Sequence, residues 1–240
     1  MNTYIFKGLI LPERAQLSIG PLKTRLKPFL KEEEIEVELN IVLNQITVWV
    51  FTDNDYDVFD LRNIVRAFVN NVCSWFALIK GYAYEVEIRQ VLNYEKKIDC
   101  VFGIDLPCIT NRHSDSEINL MLLMLDKLMK KSSGENGIYI QRCITDLRLA
   151  LSNTEDTPFY CFRSIESLKH YCKYEYGIED EKEQWKKIIE ITGFNKTYID
   201  DIRKMAFPQR HGDVINFTSD DRVKMLSKTW DVVEKFLLGI

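Results

Sequence analysis

Residues 34–41 read Glu-Ile-Glu-Val-Glu-Leu-Asn-Ile, a strict alternation of polar and apolar side chains. Side chains of a β-strand point alternately to the two faces of its sheet, so this pattern predicts a strand with one buried and one wet face. Residues 46–51 (Ile-Thr-Val-Trp-Val-Phe) follow after Leu43-Asn-Gln and predict the second strand of a hairpin. The N-terminal part of the chain is therefore expected to be built on a sheet.

Three further segments around this hairpin predict strands, and one predicts a helix. The strand segments are residues 4–11, 82–91 and 97–102. Between residues 61 and 76 apolar side chains recur at three- and four-residue spacing, which is typical of an amphipathic helix. Asp57 and Asp60 favour its positive N-terminus, and Gly81 follows its end. We therefore expect residues 1–110 to form a small α+β domain.

Beyond Pro107 the apolar period changes to about 3.6 residues and stays there. The predicted helices are residues 116–131, 138–151, 158–176, 181–192, a helix from about 196, and 220–238. Thr218 and Asp221 resemble a capping box at the start of the last helix. Because the connecting segments are short, residues 111–240 are predicted to form an antiparallel all-α bundle, and the whole chain an α+β fold.

Residues 201–213 read Asp-Ile-Arg-Lys-Met-Ala-Phe-Pro-Gln-Arg-His-Gly-Asp and concentrate charged and titratable groups at the end of a predicted helix. Pro208 lacks a backbone donor, so we expect the helix to end near Phe207. Gly212 predicts a turn with positive φ just after His211. Arginine stays protonated whereas histidine changes charge near neutral pH, and this combination suits chemistry at a phosphate.

Composition limits the classes of partner. The formal net charge of −4 over 240 residues excludes bulk electrostatic attraction to nucleic acid, so any RNA contact needs a local basic cluster. The six cysteines show no CxxC spacing and mostly lie in apolar runs, which predicts buried free thiols in a reducing cytosol. The first residues lack the pattern of a signal peptide, and no run of about 18 apolar residues occurs. We expect a cytoplasmic protein with no membrane partner.

The helical half resembles a known superfamily. Its features are a helix bearing Phe162-Arg-Ser-Ile-Glu-Ser-Leu168, a helix containing Trp185, an arginine leading to Arg210-His-Gly212, and a final amphipathic helix. Over roughly residues 136–240 this pattern is similar to the HEPN superfamily, and most to its ApeA-like group of prokaryotic defence and stress systems. The resemblance does not extend to the N-terminal part.

The resemblance implies a metal-independent endoribonuclease, often a toxin or an antiviral defence protein, that acts as a homodimer with a composite site. The motif arginine would be Arg203 and the motif histidine His211. Seven residues separate them here instead of the usual four to six, so Arg210 is an alternative source of the cation. The resemblance further suggests that Arg163 and Glu166 line the same groove, with a plain intrahelical ion pair as the alternative.

His211 could act as base or acid in cleavage by the RNA 2′-hydroxyl, because the ordinary pKa of histidine is about 6.5. Arg203 and Arg210 could stabilise the charge that develops on the phosphate. Asp213 could orient the imidazole or pair with Arg210. The expected substrate-binding residues are thus Arg163, Glu166 and Asp213. No cofactor is implied, and the three histidines, His113, His170 and His211, show no metal-ligand spacing.

Two alternatives stay open. The bundle could be a non-catalytic dimerisation module that binds a nucleotide or a protein, with the Arg and His residues as an anion-binding or structural cluster. It could also belong to another helical family. In the ribonuclease hypothesis the partners are RNA, a second copy of the chain, and an antitoxin or a partner sensed by the N-terminal domain.

Overall fold

The computed structural model describes residues 2–27, 34–103, 107–110, 112, 118–211, 213 and 217–240. The chain forms two compact units, Met1–Ile104 and Asp105–Ile240. The first contains an antiparallel sheet with a helix and the second is helical, so the expected mixture of α and β structure is observed. The predicted turn at Gly212 lies outside the described residues.

The first unit is built on six strands. They are β1 (Asn2–Leu11), β2 (Ile19–Leu26), β3 (Ile35–Val42), β4 (Gln45–Thr52), β5 (Glu85–Asn93) and β6 (Ile98–Val101). Their order in the sheet is β2-β3-β4-β1-β5-β6, and every neighbouring pair is antiparallel. The five predicted strands are all present.

The alternation along β3 produces the predicted two-faced strand. Ile35, Val37, Leu39 and Ile41 are buried, whereas Glu36 between them is exposed. The hairpin to β4 turns through two residues with positive φ, Leu43 and Asn44, as two-residue hairpin loops require. The side-chain oxygen of Asn44 also accepts a hydrogen bond from the backbone N–H of Leu17 at 2.6 Å, which fixes the segment before β2.

Strand β2 was not among the predicted strands, and it contains Gly20 and Pro21, two residues that disfavour a strand. The structure places it at the edge of the sheet, where the missing N–H of proline can face solvent without breaking a ladder. The pairing with β3 is irregular between Ile19 and Leu22, around these two residues. Position in the sheet therefore outweighs local propensity here.

Helix α1 (Val58–Lys80) follows its predicted signals. The Asp57 carboxylate accepts hydrogen bonds from the backbone N–H groups of Phe59 and Asp60, and Gly81 ends the helix with φ +70°. One apolar face packs on the sheet along β5 and supplies the core of this unit. The buried residues of that face are Leu61, Val65, Val69, Val72 and Cys73.

The second unit contains the remaining helices of the described chain. They are α2 (Pro107–Thr110), α3 (Ile118–Ser132), α4 (Gly137–Ser152), α5 (Thr157–Glu175), α6 (Glu181–Thr192), α7 (Lys196–Arg210) and α8 (Ser219–Gly239). Helix α6 has the predicted bounds, and the capping box of Thr218 and Asp221 at the start of α8 is confirmed. Helix α5 is central, because it packs against α4, α6, α7 and α8.

The expected end of α7 near Phe207 is wrong, since the helix continues through Pro208 to Arg210. Proline removes only its own N–H from the helix. The Pro208 carbonyl accepts hydrogen bonds from the backbone N–H groups of His211 (3.0 Å) and Asp213 (3.1 Å), and these bonds close the last turn. The helix therefore ends one turn later than the proline alone predicts.

All six cysteines are free thiols, and four of them, Cys73, Cys143, Cys161 and Cys172, are buried as expected. Cys100 and Cys108 are half-buried, so the expectation of burial does not extend to these two. Burial raises the pKa of the Cys73 thiol to about 11 and that of Cys161 to about 12, which makes both poor nucleophiles. No helix among the described residues is long and apolar enough to cross a membrane.

Candidate functional site at the end of α7

His211 caps the C-terminal end of α7 and is exposed. Its backbone N–H donates to the Pro208 carbonyl, and its ring centroid lies 4.4 Å from that of Phe207 at an interplanar angle of 50°. Phe207 itself is 53% exposed. The imidazole is therefore accessible to solvent and supported on one side by an aromatic ring.

Gln209 anchors this helix end to the first turn of α5. Its side-chain oxygen accepts a hydrogen bond from the backbone N–H of Phe159 at 3.3 Å, and its amide nitrogen donates to the Glu155 carbonyl. Asp156, the N-cap residue of α5, makes no side-chain cap bond, so the amide of Gln209 supplies a substitute from another helix. The Phe159 N–H is thereby occupied and is not a vacant anion-binding donor.

Arg163 lies one turn further along α5 and pairs with Asp146 of α4. Its Nε donates to Asp146 at 2.9 Å and its Nη2 donates to the other carboxylate oxygen. The guanidinium carbon also lies 4.9 Å from the ring centroid of Phe159 and 5.0 Å from that of Tyr160. Hydrogen bonding to Asp146 raises the pKa of Arg163.

The pairing with Asp146 was not found by sequence reasoning, which considered only Glu166 on the same helix as a partner of Arg163. Asp146 is 1% exposed and lies among Cys143, Leu147 and Ala150 on the buried face of α4. A carboxylate on an apolar stripe requires a buried partner, and this was the signal available in the sequence. Glu166 is half-buried on α5.

Arg203 and His211 lie about two helical turns apart on α7. Helix α7 is continuous from Lys196 to Arg210, so the eight-residue step between the two corresponds to a rise of about 12 Å. Helical side chains lean toward the N-terminus, so that of exposed Arg203 leans away from His211. Glu181 is near Arg203: its pKa is lowered mainly by a 2.9 Å bond from Lys169 and in part by the charge of Arg203.

Two other predicted site residues, Arg210 and Asp213, lie close to the histidine in the chain. Arg210 is the last residue of α7 and the neighbour of His211, although its side chain lies outside the described part. Asp213 is exposed, and its backbone N–H shares the Pro208 carbonyl with that of His211. Through Gln209 this group adjoins the first turn of α5, one turn from Arg163.

This arrangement offers an exposed imidazole, the exposed Asp213, a neighbouring arginine and an exposed aromatic ring. A solvent-accessible imidazole can transfer protons at neutral pH, and an exposed ring can stack on a base. Among the described residues no group of three or more His, Cys, Asp or Glu side chains is placed to hold a metal ion. His113 lies outside the described residues, and His170 is exposed on α5 with its ring against Tyr139.

Two family models match the chain, one in each of its two structural units. Residues 4–102 match the model of the N-terminal domain of a domain of unknown function, DUF8168, and residues 125–239 match that of its C-terminal domain. No curated protein and no solved structure matches the chain.

Proposed function

We propose that the C-terminal unit of this chain, whose two units match the two domain models of DUF8168, is a metal-independent endoribonuclease of the HEPN type. One observation carries the proposal: His211 is exposed on a helix end that is anchored to the neighbouring helix by Gln209. A histidine needed only for packing would be covered, whereas this one is open to a substrate while its backbone is fixed.

In the proposed reaction the RNA 2′-oxygen attacks the adjacent phosphorus and the bond to the 5′-oxygen breaks. Neutral His211 accepts the 2′-hydroxyl proton while water protonates the leaving 5′-oxygen, or protonated His211 donates to that oxygen while water accepts the 2′-hydroxyl proton. Arg210 stabilises the charge that builds on the phosphate oxygens. The products are a 2′,3′-cyclic phosphate and a free 5′-hydroxyl, and no metal or cofactor takes part.

Arg203 enters the proposed site from a second copy of the chain. Arg203 lies about 12 Å from His211 along one helix and its side chain leans away from the histidine, which favours a contribution of Arg203 from the second copy. Two copies related by a two-fold axis would pair Arg203 of one with His211 of the other, and would form two such sites. In this proposal Phe207 stacks on a base and Asp213 orients the imidazole.

The proposed setting is prokaryotic defence or stress response in the cytoplasm. There the N-terminal unit would sense or recognise a partner, and an antitoxin could keep the ribonuclease inactive.

Arg163 contributes its charge at the margin of the site, since Asp146 already engages two of its nitrogens.

Product analysis tests the proposed chemistry. Purified full-length chain is incubated with total cellular RNA in EDTA, and the new 3′ ends are identified for wild type, His211→Ala and His170→Ala. His170 is the matched control, because it is an exposed histidine on α5 of the same unit. Cyclic-phosphate ends that disappear only in His211→Ala are expected. Cleavage that requires a divalent metal, or that persists in His211→Ala, would refute the mechanism.

The second candidate is a non-catalytic binding module for a nucleotide or a protein. Two observations favour it: Arg163 is already bonded to Asp146, and Arg203 lies about 12 Å from His211 along α7. In that case wild type would bind RNA or a nucleotide without cleaving it. Binding would weaken in Arg203→Ala or His211→Ala, measured by equilibrium titration.

A further inference from the structure

We infer that the last two turns of α1, in the N-terminal unit, form an interface through which two copies of the chain associate. Four large apolar side chains lie in solvent, three on these turns and one directly after the end of the helix, and we call them the α1 patch. They are Trp75 (60% exposed), Leu78 (87%), Ile79 (78%) and Tyr82 (50%). This surface lies outside the unit that contains His211, so the inference does not rest on the proposed function.

The helical part of the patch lies on one face of α1. Trp75, Leu78 and Ile79 follow the i, i+3, i+4 spacing that places side chains on one side of a helix, and Tyr82 follows directly after Gly81, where the helix ends. Val72 and Ile79 are seven residues apart and lie on nearly the same side of α1, yet Val72 is 2% exposed and Ile79 is 78% exposed. The end of the helix therefore extends beyond the part that packs on the sheet.

The patch is fixed in place at its C-terminal end. Gly81 closes α1 in the left-handed conformation, and its N–H donates to the Ala77 carbonyl. The Tyr82 ring meets that of Tyr84 edge-on, with 6.0 Å between the ring centroids. These contacts hold the exposed side chains on a structured surface, which reduces the entropy cost of binding.

Charge favours a second copy over a nucleic acid as the partner. Lys80 is the only charged residue among residues 69–84, and its ammonium lies over the Phe76 ring at 5.9 Å from the centroid. Asn71 and Ser74, the exposed polar residues of the adjoining turn, are neutral. A phosphate backbone would require several cations, whereas an apolar patch with a single cation beside it can pair with its own copy across a two-fold axis.

The exposed area is sufficient for such a pair. From these exposed fractions the four side chains present roughly 600 Å² per copy, so pairing two patches would bury on the order of 1,200 Å², the lower end of the range for stable interfaces. Apolar patches of this size lie at the upper end of those found on monomers, and such patches often mark interaction sites.

The oligomeric state of the full-length chain tests the inference. Sedimentation or light scattering is measured from about 1 to about 100 µM for wild type, Leu78→Asp and Tyr94→Ser. Leu78→Asp places like charges opposite each other at the centre of the patch. Tyr94→Ser is the matched control, because Tyr94 is 94% exposed in the turn after β5.

We expect a wild-type dimer, an unchanged Tyr94→Ser dimer, and a dissociation constant raised on the order of 100-fold in Leu78→Asp. Because Leu78 is exposed, its replacement should leave the circular dichroism spectrum and thermal midpoint unchanged, which separates dissociation from unfolding. A wild-type monomer throughout this range would overturn the inference. A Leu78→Asp dimer of wild-type affinity would also overturn it, by placing the interface elsewhere.

Discussion

The backbone N–H of Phe159 donates a hydrogen bond to the side-chain oxygen of Gln209 at 3.3 Å, which ties the last turn of α7 to the first turn of α5. His211 follows two residues later, so the position of the imidazole depends on this link between two helices. The glutamine amide also donates to the Glu155 carbonyl, and both of its polar groups are thereby used.

Gln209→Ala should loosen the end of α7 without unfolding the unit. Loss of these hydrogen bonds is expected to lower the free energy of unfolding by about 1–2 kcal/mol, measured by urea denaturation. Amide hydrogen exchange at Phe159 and His211 should accelerate. Gln141→Ala is the control, because Gln141 also bonds a backbone carbonyl, that of Ser132 at 2.9 Å, but lies on α4. Unchanged exchange at His211 in Gln209→Ala would contradict the anchoring role.

Removing the two partners of the α4–α5 ion pair should have unequal effects. Arg163→Met leaves the carboxylate of Asp146, whose side chain is 1% exposed, without its cation, and we expect a loss of about 3 kcal/mol of stability. Asp146→Asn leaves Arg163, whose side chain is 34% exposed and can be hydrated, so the expected loss is about 1–2 kcal/mol. Chemical denaturation measures both, and equal losses would show that burial does not decide the energetics of this pair.

His170 should make stability fall as the pH falls. Its pKa is lowered first by desolvation and then by the charge of Lys169, with smaller effects of Lys173 and Arg142 that Glu166 partly opposes. As the pH falls, His170 of the unfolded chain therefore takes up a proton at about pH 6.5, before His170 of the folded chain does. Unfolding becomes progressively more favourable until the pH falls below the pKa of the folded state. This contribution is absent in His170→Gln. As the pH falls from about 7 to about 5, the free energy of unfolding should therefore decrease more for the wild type than for His170→Gln. Parallel stability curves for the two proteins would contradict the lowered pKa.

A composite site predicts complementation between two inactive variants. Arg203→Ala and His211→Ala should each be inactive alone. After mixing in equal amounts with exchange of subunits, half of the dimers are mixed and each contains one intact site, so about a quarter of wild-type activity should return. Arg148→Ala, which changes an exposed arginine of α4, should keep full activity alone. Two inactive variants that stay inactive when mixed would place Arg203 and His211 in the same chain or remove Arg203 from the site.

The parts of the fold that are encoded locally could be predicted from the sequence. The alternation in residues 34–41 gave β3, Asp57 and Gly81 marked the ends of α1, and the capping box at Thr218 marked the start of α8. The features that were missed depend on position in the fold. Strand β2 tolerates Pro21 only because it lies at a sheet edge, and α7 passes Pro208 because its last turn is closed by bonds to that residue's carbonyl.

In the candidate site, too, the locally encoded feature was predicted and the features that depend on the fold were not. The sequence placed His211 at a helix end, and the structure exposes it there. The partner of Arg163 could not be found from spacing on α5, because Asp146 is 17 residues away on another helix. The separation of Arg203 from His211 depends on α7 remaining helical beyond residue 203. The local sequence around Pro208 predicts an earlier end of the helix, whereas the helix continues to Arg210.

The cleavage rate of a defined RNA in EDTA tests the central claim most directly, compared among wild type, His211→Ala and His170→Ala at equal protein concentration. The account predicts cleavage by wild type, an equal rate for His170→Ala, and a rate lower by about 100-fold or more for His211→Ala, the size expected for loss of a general acid or base. Equal rates for all three proteins, or no cleavage by the wild type, would contradict it.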